Sequence, residues 1–226
     1  MNQDPPLSPP QPFDDAQDKP ASAPQALRLT LPESAPYMTY SLIGVTVFVY
    51  LLQLASQAFL KFDFPVGLLA KSNDLIRDGQ LWRLLTPALV HGGIAHIGFN
   101  MYALFIFGVG LERAFGHWRF LLLYALGAFA GNVMSFLFTT GVSVGASTAI
   151  FGLIGAELVF LIQNRRLFAG QFRSAIGNVI FIIFVNLFLG LAPSIDNWGH
   201  IGGLVGGLMF ASFAGPLWEV EGIPPM

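Results

Sequence analysis

The sequence predicts an all-α membrane protein whose single domain is a bundle of six membrane-spanning helices. Two observations predict this fold class. Hydrophobic residues occupy 54% of the 226 positions and charged residues only 11%, whereas a soluble domain is about a quarter charged. The chain also contains six apolar runs of roughly 17–25 residues, the length that crosses a bilayer as a helix.

Charge and cysteine content exclude several functions. The net charge of −2 provides no basic surface for nucleic acid, so we expect no nucleic-acid partner. The absence of cysteine excludes disulfides, thiol catalysis and cysteine-based metal sites. His91 and His96 could still bind a metal, but their spacing suits one helix face poorly and no third cysteine or histidine is near them. We therefore expect neither a metal nor a cofactor.

Residues 1–36 are predicted to form a disordered, proline-rich cytoplasmic leader. Nine prolines stand among polar residues there, and such a composition cannot bury a core. The first apolar run begins only near Tyr40, and the segment before it is acidic. It therefore resembles neither a cleaved signal peptide nor a mitochondrial transit peptide. We expect a solvated tail, with binding to a proline-reading domain as the alternative.

The six predicted spans are closely joined, except for one long connection after the first. They cover residues 40–59, 94–115, 118–139, 146–163, 175–191 and 200–217. The long connection mixes apolar residues with the basic residues Lys61, Lys71, Arg77 and Arg83. We interpret it as an interfacial element in the outer leaflet, whose basic side chains reach lipid headgroups.

The positions of Lys and Arg predict the orientation of the bundle, because cytoplasmic connections are enriched in both. The connection between the second and third spans holds two arginines, and the one between the fourth and fifth holds three. The connections after the third and fifth spans have no basic residue. We therefore expect a multi-pass protein of a bacterial inner membrane with both termini in the cytoplasm, although the basic first outer connection departs from this pattern.

Polar groups from three spans are predicted to lie at the same membrane depth. His96 and Asn100 share one face of the second span, one turn apart. Ser147 opens the fourth span and His200 opens the sixth. Ionisable groups within a span are costly and normally face the bundle interior, which makes them functional candidates. For Ser147 the alternative is a hydroxyl that only bonds back to its own helix.

A stripe of glycines on the sixth span explains how His200 could reach Ser147. Gly203 and Gly207 follow His200 on the same face, and Gly199 precedes it. Small residues let helix backbones approach closely in a membrane. We therefore expect the fourth span to pack against this stripe.

These groups predict serine chemistry. Ser147 is a weak nucleophile that needs an adjacent base, and neutral His200 can take its proton. His96, the Asn100 amide and the Ser147 backbone N–H can donate to the oxyanion that forms. No carboxylate is convincingly placed as a third member of the site. Asp196 lies four residues before His200 and is interpreted as a loop residue, with orientation of the imidazole as the alternative.

Four separated motifs resemble the rhomboid family of intramembrane serine proteases. They are, in order, Leu81-Trp82-Arg83 with Thr86, His91 with His96 and Asn100, Gly145-x-Ser147, and Gly199-His200 with the glycine stripe. Glu112-Arg113 with Gly116 is a weaker match. The motifs occur in order and at the ends of spans, which makes the set specific, and together they cover about residues 40–217.

The resemblance implies the domain organisation and the mode of action. It implies a six-helix, rhomboid-like catalytic domain over residues 37–218, followed by a short tail at 219–226. The first outer connection would be half-embedded in the membrane. The fifth span and the 191–199 loop would act as a lateral gate and cap. The substrates would be single-span transmembrane proteins cut near the outer membrane boundary.

The resemblance also implies the roles of the site residues. Ser147 and His200 would form a catalytic dyad. The oxyanion site would use His96, Asn100 and the Ser147 amide, and His91 would help to structure it. Four further residues are interpreted as supporting the site, namely Gly145, Phe151, Gly199 and Gly203. Phe151 stands where the family often carries a hydroxyl on an aromatic ring, but a ring stacked under His200 remains compatible with activity.

Glu157 is a further ionisable residue of the fourth span. It lies ten residues after Ser147, about 15 Å deeper along a helix, which is too far for a role in the dyad. We expect it to be a hydrogen-bonded or paired structural residue near the inner side.

Two other classes of function compete with proteolysis. A non-enzymatic membrane protein could bind or escort single-span clients through the same groove. A small-solute transporter could use the polar cluster, but no repeat of one half in the other and no broken span is visible in the sequence. The sequence does not indicate the client or the oligomeric state.

Overall fold

The computed structural model describes residues 34–192 and 195–217, and within these ranges every regular element is a helix. The α-helices are α1 (Tyr37–Leu60), α2 (Phe64–Leu69), α3 (Asn73–Arg77), α4 (Ile94–Phe115), α5 (His117–Phe138), α6 (Ser147–Gln163), α7 (Phe172–Leu189) and α8 (Asn197–Ala214). Three 3-10 turns join them, at Leu81–Leu84, Thr86–Leu89 and Arg165–Gln171. The predicted leader, apart from residues 34–36, and the predicted tail lie outside the described residues.

The six long helices correspond to the six predicted spans, and each end agrees within three residues. Four of them, α1, α4, α5 and α7, are long and apolar enough to cross a membrane. This confirms an all-α membrane protein. Helix α6 is apolar but has 17 residues, and α8 has 18 residues with five glycines. That α6 and α8 also cross the membrane stays a prediction.

Helix α6 lies at the centre of the bundle. Twelve of its 17 residues are buried, because α5 and α8 pack along it and α4 and α7 flank it. Helix α7 lies at the periphery, and its one buried residue is Val179. The start of α6 is therefore held by protein on several sides, whereas α7 is held loosely.

Glycines bring the central helices into backbone contact. A Cβ added to Gly127 of α5 would lie 3.1 Å from the Cα of Gly152 of α6. On α8, a Cβ at Gly203 would collide with the Thr148 carbonyl oxygen, and one at Gly207 with the Gly152 carbonyl oxygen. Close van der Waals packing of this kind holds helices together in lipid, where apolar side chains gain little from leaving the solvent. The contact expected between the fourth and sixth spans is present.

A carboxylate from α4 caps the start of α1. Helix α1 begins after Pro36, which provides no side-chain cap. Glu112, which is fully buried, instead accepts hydrogen bonds from the backbone N–H groups of Met38 at 2.8 Å and Thr39 at 2.7 Å. It also accepts the Thr39 hydroxyl at 2.7 Å and lies 2.5 Å from His117 Nδ1. The unpaired N–H groups of a helix start favour a negative charge at this position.

The expectation that the basic side chains of the first connection reach headgroups is wrong for Lys71 and Arg83, and for the exposed Lys61 and Arg77 it stays a prediction. Lys71 is fully buried, and its Nζ donates to the carbonyls of Thr139 at 2.8 Å and Gly141 at 3.0 Å. Arg83 is also buried and donates to the carbonyls of Ala70 at 2.7 Å and Gly67 at 2.8 Å. These two cations satisfy carbonyls of irregular backbone, which would otherwise be buried without partners. The connection is thus a packed part of the domain.

Candidate active site

Ser147 and His200 meet where α6 and α8 begin. Ser147 is the first residue of α6, and His200 lies in the first turn of α8. The Ser147 Oγ lies 3.0 Å from the His200 Nε2, a hydrogen-bond distance. His200 is buried and Ser147 is half-buried. The structure therefore brings together the two residues expected to form a nucleophile and its base.

The imidazole of His200 is oriented by ring packing. Its plane stacks on the Phe151 ring one turn after Ser147, with 4.3 Å between ring centroids and 9° between planes. Its Nδ1 is buried and has no hydrogen-bond partner among the described residues. Asp196, the alternative orienter, instead accepts a hydrogen bond from the Gly199 N–H at 3.0 Å. The ring is therefore held by stacking on its face and not by a carboxylate at Nδ1.

The glycine at position 145 is required by backbone conformation and by space. Its φ is +123°, a region that L side chains rarely adopt. A Cβ at Gly145 would lie 2.7 Å from the His96 Nε2 and 3.8 Å from the Ser147 Oγ. The imidazole of His96 and the hydroxyl of Ser147 therefore border the same small space beside Gly145.

His96 presents a proton to this space. Its Nδ1 accepts the Gly92 N–H at 3.3 Å. A neutral imidazole carries one proton, so this bond places the proton on Nε2. Asn100 lies one turn further along α4, and its Nδ2 donates to the His96 carbonyl at 2.9 Å. No hydrogen bond joins Asn100 to Ser147 within the described part of the chain, whereas His96 borders the same space as the Ser147 hydroxyl.

His91 supports the backbone that precedes the nucleophile. Its Nε2 accepts the Ala146 N–H at 3.3 Å, and its ring centroid lies 5.1 Å from that of His96. Gln53 of α1 fixes the His91 backbone, because its Oε1 accepts the His91 N–H at 2.9 Å and its Nε2 donates to the His91 carbonyl at 3.0 Å. Burial, with a smaller contribution from His96, lowers the pKa of His91 to about 3. The imidazole is therefore neutral and able to accept a hydrogen bond.

Two groups that hold this site were not found from the sequence. Gln53 is almost fully buried, and a polar residue inside an apolar run is a signal that could have identified it. The second group surrounds Asp196, whose carboxylate accepts hydroxyl hydrogens from Ser135, Thr139 and Ser143. The three hydroxyls lie within nine residues of one another, but Asp196 lies more than 50 residues further along the chain, so no spacing in the sequence indicates that they meet.

Glu157 differs from its expected role. It is half-buried on α6, and its carboxyl has no hydrogen bond or ion pair with any residue that the structure describes. The expectation of a hydrogen-bonded structural residue is therefore wrong within the described ranges.

Comparison with known proteins identifies the family. The rhomboid domain family model matches residues 78–216, more than half of the chain. The chain is 42% identical over 181 residues to rhomboid protease GluP of Bacillus subtilis (strain 168). The aligned segment covers 80% of this chain and 35% of that relative. It is 41% identical over 136 residues to RHOMBOID-like protein 1 of Arabidopsis thaliana, covering 60% of this chain and 35% of that relative.

A third relative is RHOMBOID-like protein 9, chloroplastic, of Arabidopsis thaliana, which is 34% identical over 179 residues, or 79% of this chain and 41% of that relative. The chain thus spans well under half the length of these relatives. The matched segment includes Ser147, His200 and the motifs around them. The resemblance noted in the sequence is confirmed, and the chain belongs to the rhomboid family.

Proposed function

We propose that the protein is an intramembrane serine endopeptidase that cleaves single-span transmembrane proteins near the outer membrane boundary. The observation that carries the proposal is the distance of 3.0 Å between the Ser147 Oγ and the His200 Nε2, on two adjacent helices of a membrane bundle. The relationship to a protein named as a rhomboid protease supports it. In this proposal Ser147 and His200 are the catalytic residues.

The first chemical step forms an acyl-enzyme. The Ser147 Oγ attacks the carbonyl carbon of the scissile peptide, and its proton moves to the His200 Nε2. The tetrahedral intermediate then collapses, the C–N bond breaks, and His200 returns the proton to the leaving amine. Stacking on Phe151 keeps the Nε2 directed at the hydroxyl through both proton transfers.

The oxyanion of the intermediate needs donors, and the site offers them. His96 carries its proton on the Nε2 beside Gly145, and the Ser147 N–H lies in the first turn of α6, where backbone N–H groups lack intrahelical partners. We assign Asn100 the role of a third donor, because one hydrogen of its amide remains after the bond to the His96 carbonyl. One such donor typically lowers the barrier by about 3–4 kcal/mol.

The second step releases the product. Water enters, His200 takes one of its protons, and the hydroxide attacks the ester carbonyl of the acyl-enzyme. The C–O bond to Ser147 breaks as His200 returns its proton to the Ser147 Oγ, so the carboxylic acid leaves and both the hydroxyl and the neutral imidazole are restored. The same oxyanion donors serve this step. The chain's own residues therefore complete the cycle.

Substrates would enter past α7. This helix buries only Val179, so moving it aside disrupts little packing. Three of its aromatic side chains are more than 60% exposed in the absence of lipid, namely Phe181, Phe184 and Phe188. We assign α7 the role of a lateral gate and the segment after it that of a cap, of which residues 193–194 lie outside the described ranges.

The orientation of the protein is part of the proposal. Arginines at positions 113, 119, 165, 166 and 173 lie at the end of the bundle away from the dyad. Their enrichment supports a cytoplasmic location for that end. The dyad would then lie near the outer side, with both termini in the cytoplasm of a bacterium.

The test is cleavage by the purified protein in lipid vesicles against a panel of single-span reporter proteins. Ser147→Ala and His200→Ala should each abolish cleavage, because neither the nucleophile nor its base can be replaced. Ser212→Ala is the matched control, since this exposed α8 hydroxyl only bonds back to the Leu208 carbonyl. Cleavage retained in either dyad variant would reject the proposal, and client binding without cleavage in every variant would favour an escort function.

A further inference from the structure

The carboxylate of Asp196 collects four hydrogen bonds immediately before α8. Its Oδ1 accepts the Thr139 hydroxyl at 3.1 Å and the Gly199 N–H at 3.0 Å. Its Oδ2 accepts the hydroxyls of Ser135 and Ser143. Both carboxylate oxygens are thus fully used, and the donors come from α5, from the segment after it and from α8.

The Asp196 carboxylate is ionised in this setting. Burial would raise its pKa, but the hydrogen bonds from Ser135, Ser143, the Gly199 N–H and Thr139 together outweigh burial and hold the pKa below its usual value. The charge also lies at the start of α8, where the helix dipole favours an anion. Charge-assisted hydrogen bonds of this kind are about twice as strong as neutral ones.

Asp196 is coupled to the catalytic histidine through the first turn of α8. Its carboxylate caps the Gly199 N–H, and its backbone carbonyl accepts the His200 N–H at 3.2 Å. Displacing Asp196 therefore displaces the backbone that carries the imidazole. The side chain reaches Ser135 of α5, a fully buried residue. Asp196 thereby fixes the height of His200 relative to the end of α5.

The same carboxylate is coupled to the segment that leads to the nucleophile. Residues 139–145 run from the end of α5 to Gly145, and both Thr139 and Ser143 donate to Asp196. From the other side, the backbones of Lys71 and Ser143 are joined by two hydrogen bonds. The Lys71 N–H donates to the Ser143 carbonyl at 3.0 Å, and the Ser143 N–H donates to the Lys71 carbonyl at 3.2 Å. The Lys71 Nζ also binds carbonyls at both ends of residues 139–141. The segment is therefore fixed between the first connection and α8.

We propose that Asp196 is a positioning residue, which sets the distance between His200 and Ser147 by tying the start of α8 to α5 and to the 139–145 segment. This inference rests on the proposed function, because it concerns the alignment of that dyad. Asp196 acts through the backbone of His200 and does not contact the imidazole. Proton transfer requires donor and acceptor within hydrogen-bond reach, and a misplacement of about 1 Å can reduce the rate on the order of 10²-fold.

The first experiment measures how fast a fluorophosphonate carrying a fluorophore labels Ser147, per folded molecule and well below the unfolding temperature. Asp196→Asn keeps the size of the side chain but cannot accept all four hydrogen bonds. It should reduce the labelling rate about tenfold to hundredfold. Asp78→Asn is the matched control, because Asp78 is an exposed carboxylate of the first connection, and its labelling rate should equal that of the unchanged protein.

A second pair of variants approaches the carboxylate from the opposite side. Ser143→Ala removes one donor without altering α8, whereas Ser143→Thr keeps the hydroxyl. The labelling rate should fall in Ser143→Ala and recover in Ser143→Thr. With a single-span reporter, Asp196→Asn should lower kcat and leave KM nearly unchanged, because the hydrogen bonds of Asp196 hold the dyad and none of them is made to α7, past which the reporter would enter.

The outcomes separate the positioning role from the proposed function. If the unchanged protein is not labelled at all, the serine chemistry fails. If it is labelled, and Asp196→Asn and Ser143→Ala label at the unchanged rate per folded molecule, the positioning role is overturned. Loss of thermal stability in these variants with an unchanged labelling rate would likewise assign Asp196 a purely structural role.

Discussion

Gly145 shows how a single residue without a side chain can decide whether the site forms. It combines a positive φ with direct contact to the His96 ring. Either property alone disfavours a Cβ, and both act within two residues of Ser147. The sequence indicated Gly145 as a supporting residue, but not that a side chain there would enter the space shared by the His96 imidazole and the Ser147 hydroxyl.

We expect Gly145→Ala to destabilise the protein by about 1–3 kcal/mol, because the added Cβ strains the backbone. It should also slow fluorophosphonate labelling of Ser147 by about tenfold or more, because it pushes His96 away. Thermal unfolding and labelling rate measure the two effects. Gly177→Ala on α7 is the control, since a Cβ there meets no atom within 4 Å. Equal labelling rates in the two variants would contradict the packing described for Gly145.

The neutral His91 predicts how stability depends on pH. Its pKa falls from 6.5 to about 3 on folding, so between these values the unfolded chain binds more protons than the folded one. The free energy of unfolding should therefore decrease as the pH falls from about 6.5 towards 3, by up to about 1.4 kcal/mol per pH unit from this residue. Above pH 6.5 the contribution is constant.

His91→Gln tests this prediction, because the Gln amide oxygen can accept the Ala146 N–H without titrating. The free energy of unfolding in detergent, measured from pH 7.5 to 4.5, should fall less steeply in this variant than in the unchanged protein. A control variant is His117→Gln, at the opposite end of the bundle. Identical pH slopes for His91→Gln and the unchanged protein would contradict a buried neutral His91.

At the scale of elements, the starts of three of the six long helices, α1, α6 and α8, are stabilised by a side chain that lies outside the helix. Glu112 of α4 caps α1, the Asp196 carboxylate caps α8, and His91 accepts the N–H of the residue before α6. A helix start buried in a bundle cannot rely on water for its unpaired N–H groups. These caps therefore set the relative heights of the helices as well as their stability.

The two glutamates of the core provide a matched comparison. Glu112→Gln should lower the free energy of unfolding by about 1–3 kcal/mol for each donor left unsatisfied, because the amide cannot accept all the bonds from Met38, Thr39 and His117. Glu157→Gln should change it by about 0.5 kcal/mol or less, because the carboxyl has no described partner. Unfolding in detergent measures both values. The rate at which Ser147 is labelled, per folded molecule, should be unchanged in Glu112→Gln. A loss of unfolding free energy that is larger in Glu157→Gln than in Glu112→Gln would contradict the different roles assigned to the two carboxyl groups.

At the scale of the whole molecule, the six long helices could be predicted because each is a long apolar run. A run of apolar residues must form a helix in lipid, where every backbone N–H and C=O needs an internal partner. The meeting of Ser147 and His200 could be expected as well, because the glycines after His200 indicate which face of α8 approaches α6. The family relationship found by comparison agrees with the predicted helical membrane fold.

The connections could not be predicted in the same way. Lys71 and Arg83 look like surface cations in the sequence, and only the folded chain shows that they bind carbonyls in irregular backbone. The partners of Lys71 lie almost 70 residues away in the chain. A single hydroxyl such as that of Ser143 belongs to no sequence motif that would indicate its partner. Long-range polar contacts of this kind depend on how the helices pack, which hydropathy does not specify.

The most direct measurement of the central claim is the site at which a fluorophosphonate attaches to the purified full-length protein. We predict a covalent adduct on Ser147, mapped by peptide mass spectrometry, which is lost in Ser147→Ala and slowed on the order of 10³-fold or more in His200→Ala. Ser212→Ala should label like the unchanged protein. Labelling of Ser147 at the same rate with and without His200, or no adduct on Ser147 at all, would contradict the assignment of these two residues as nucleophile and base.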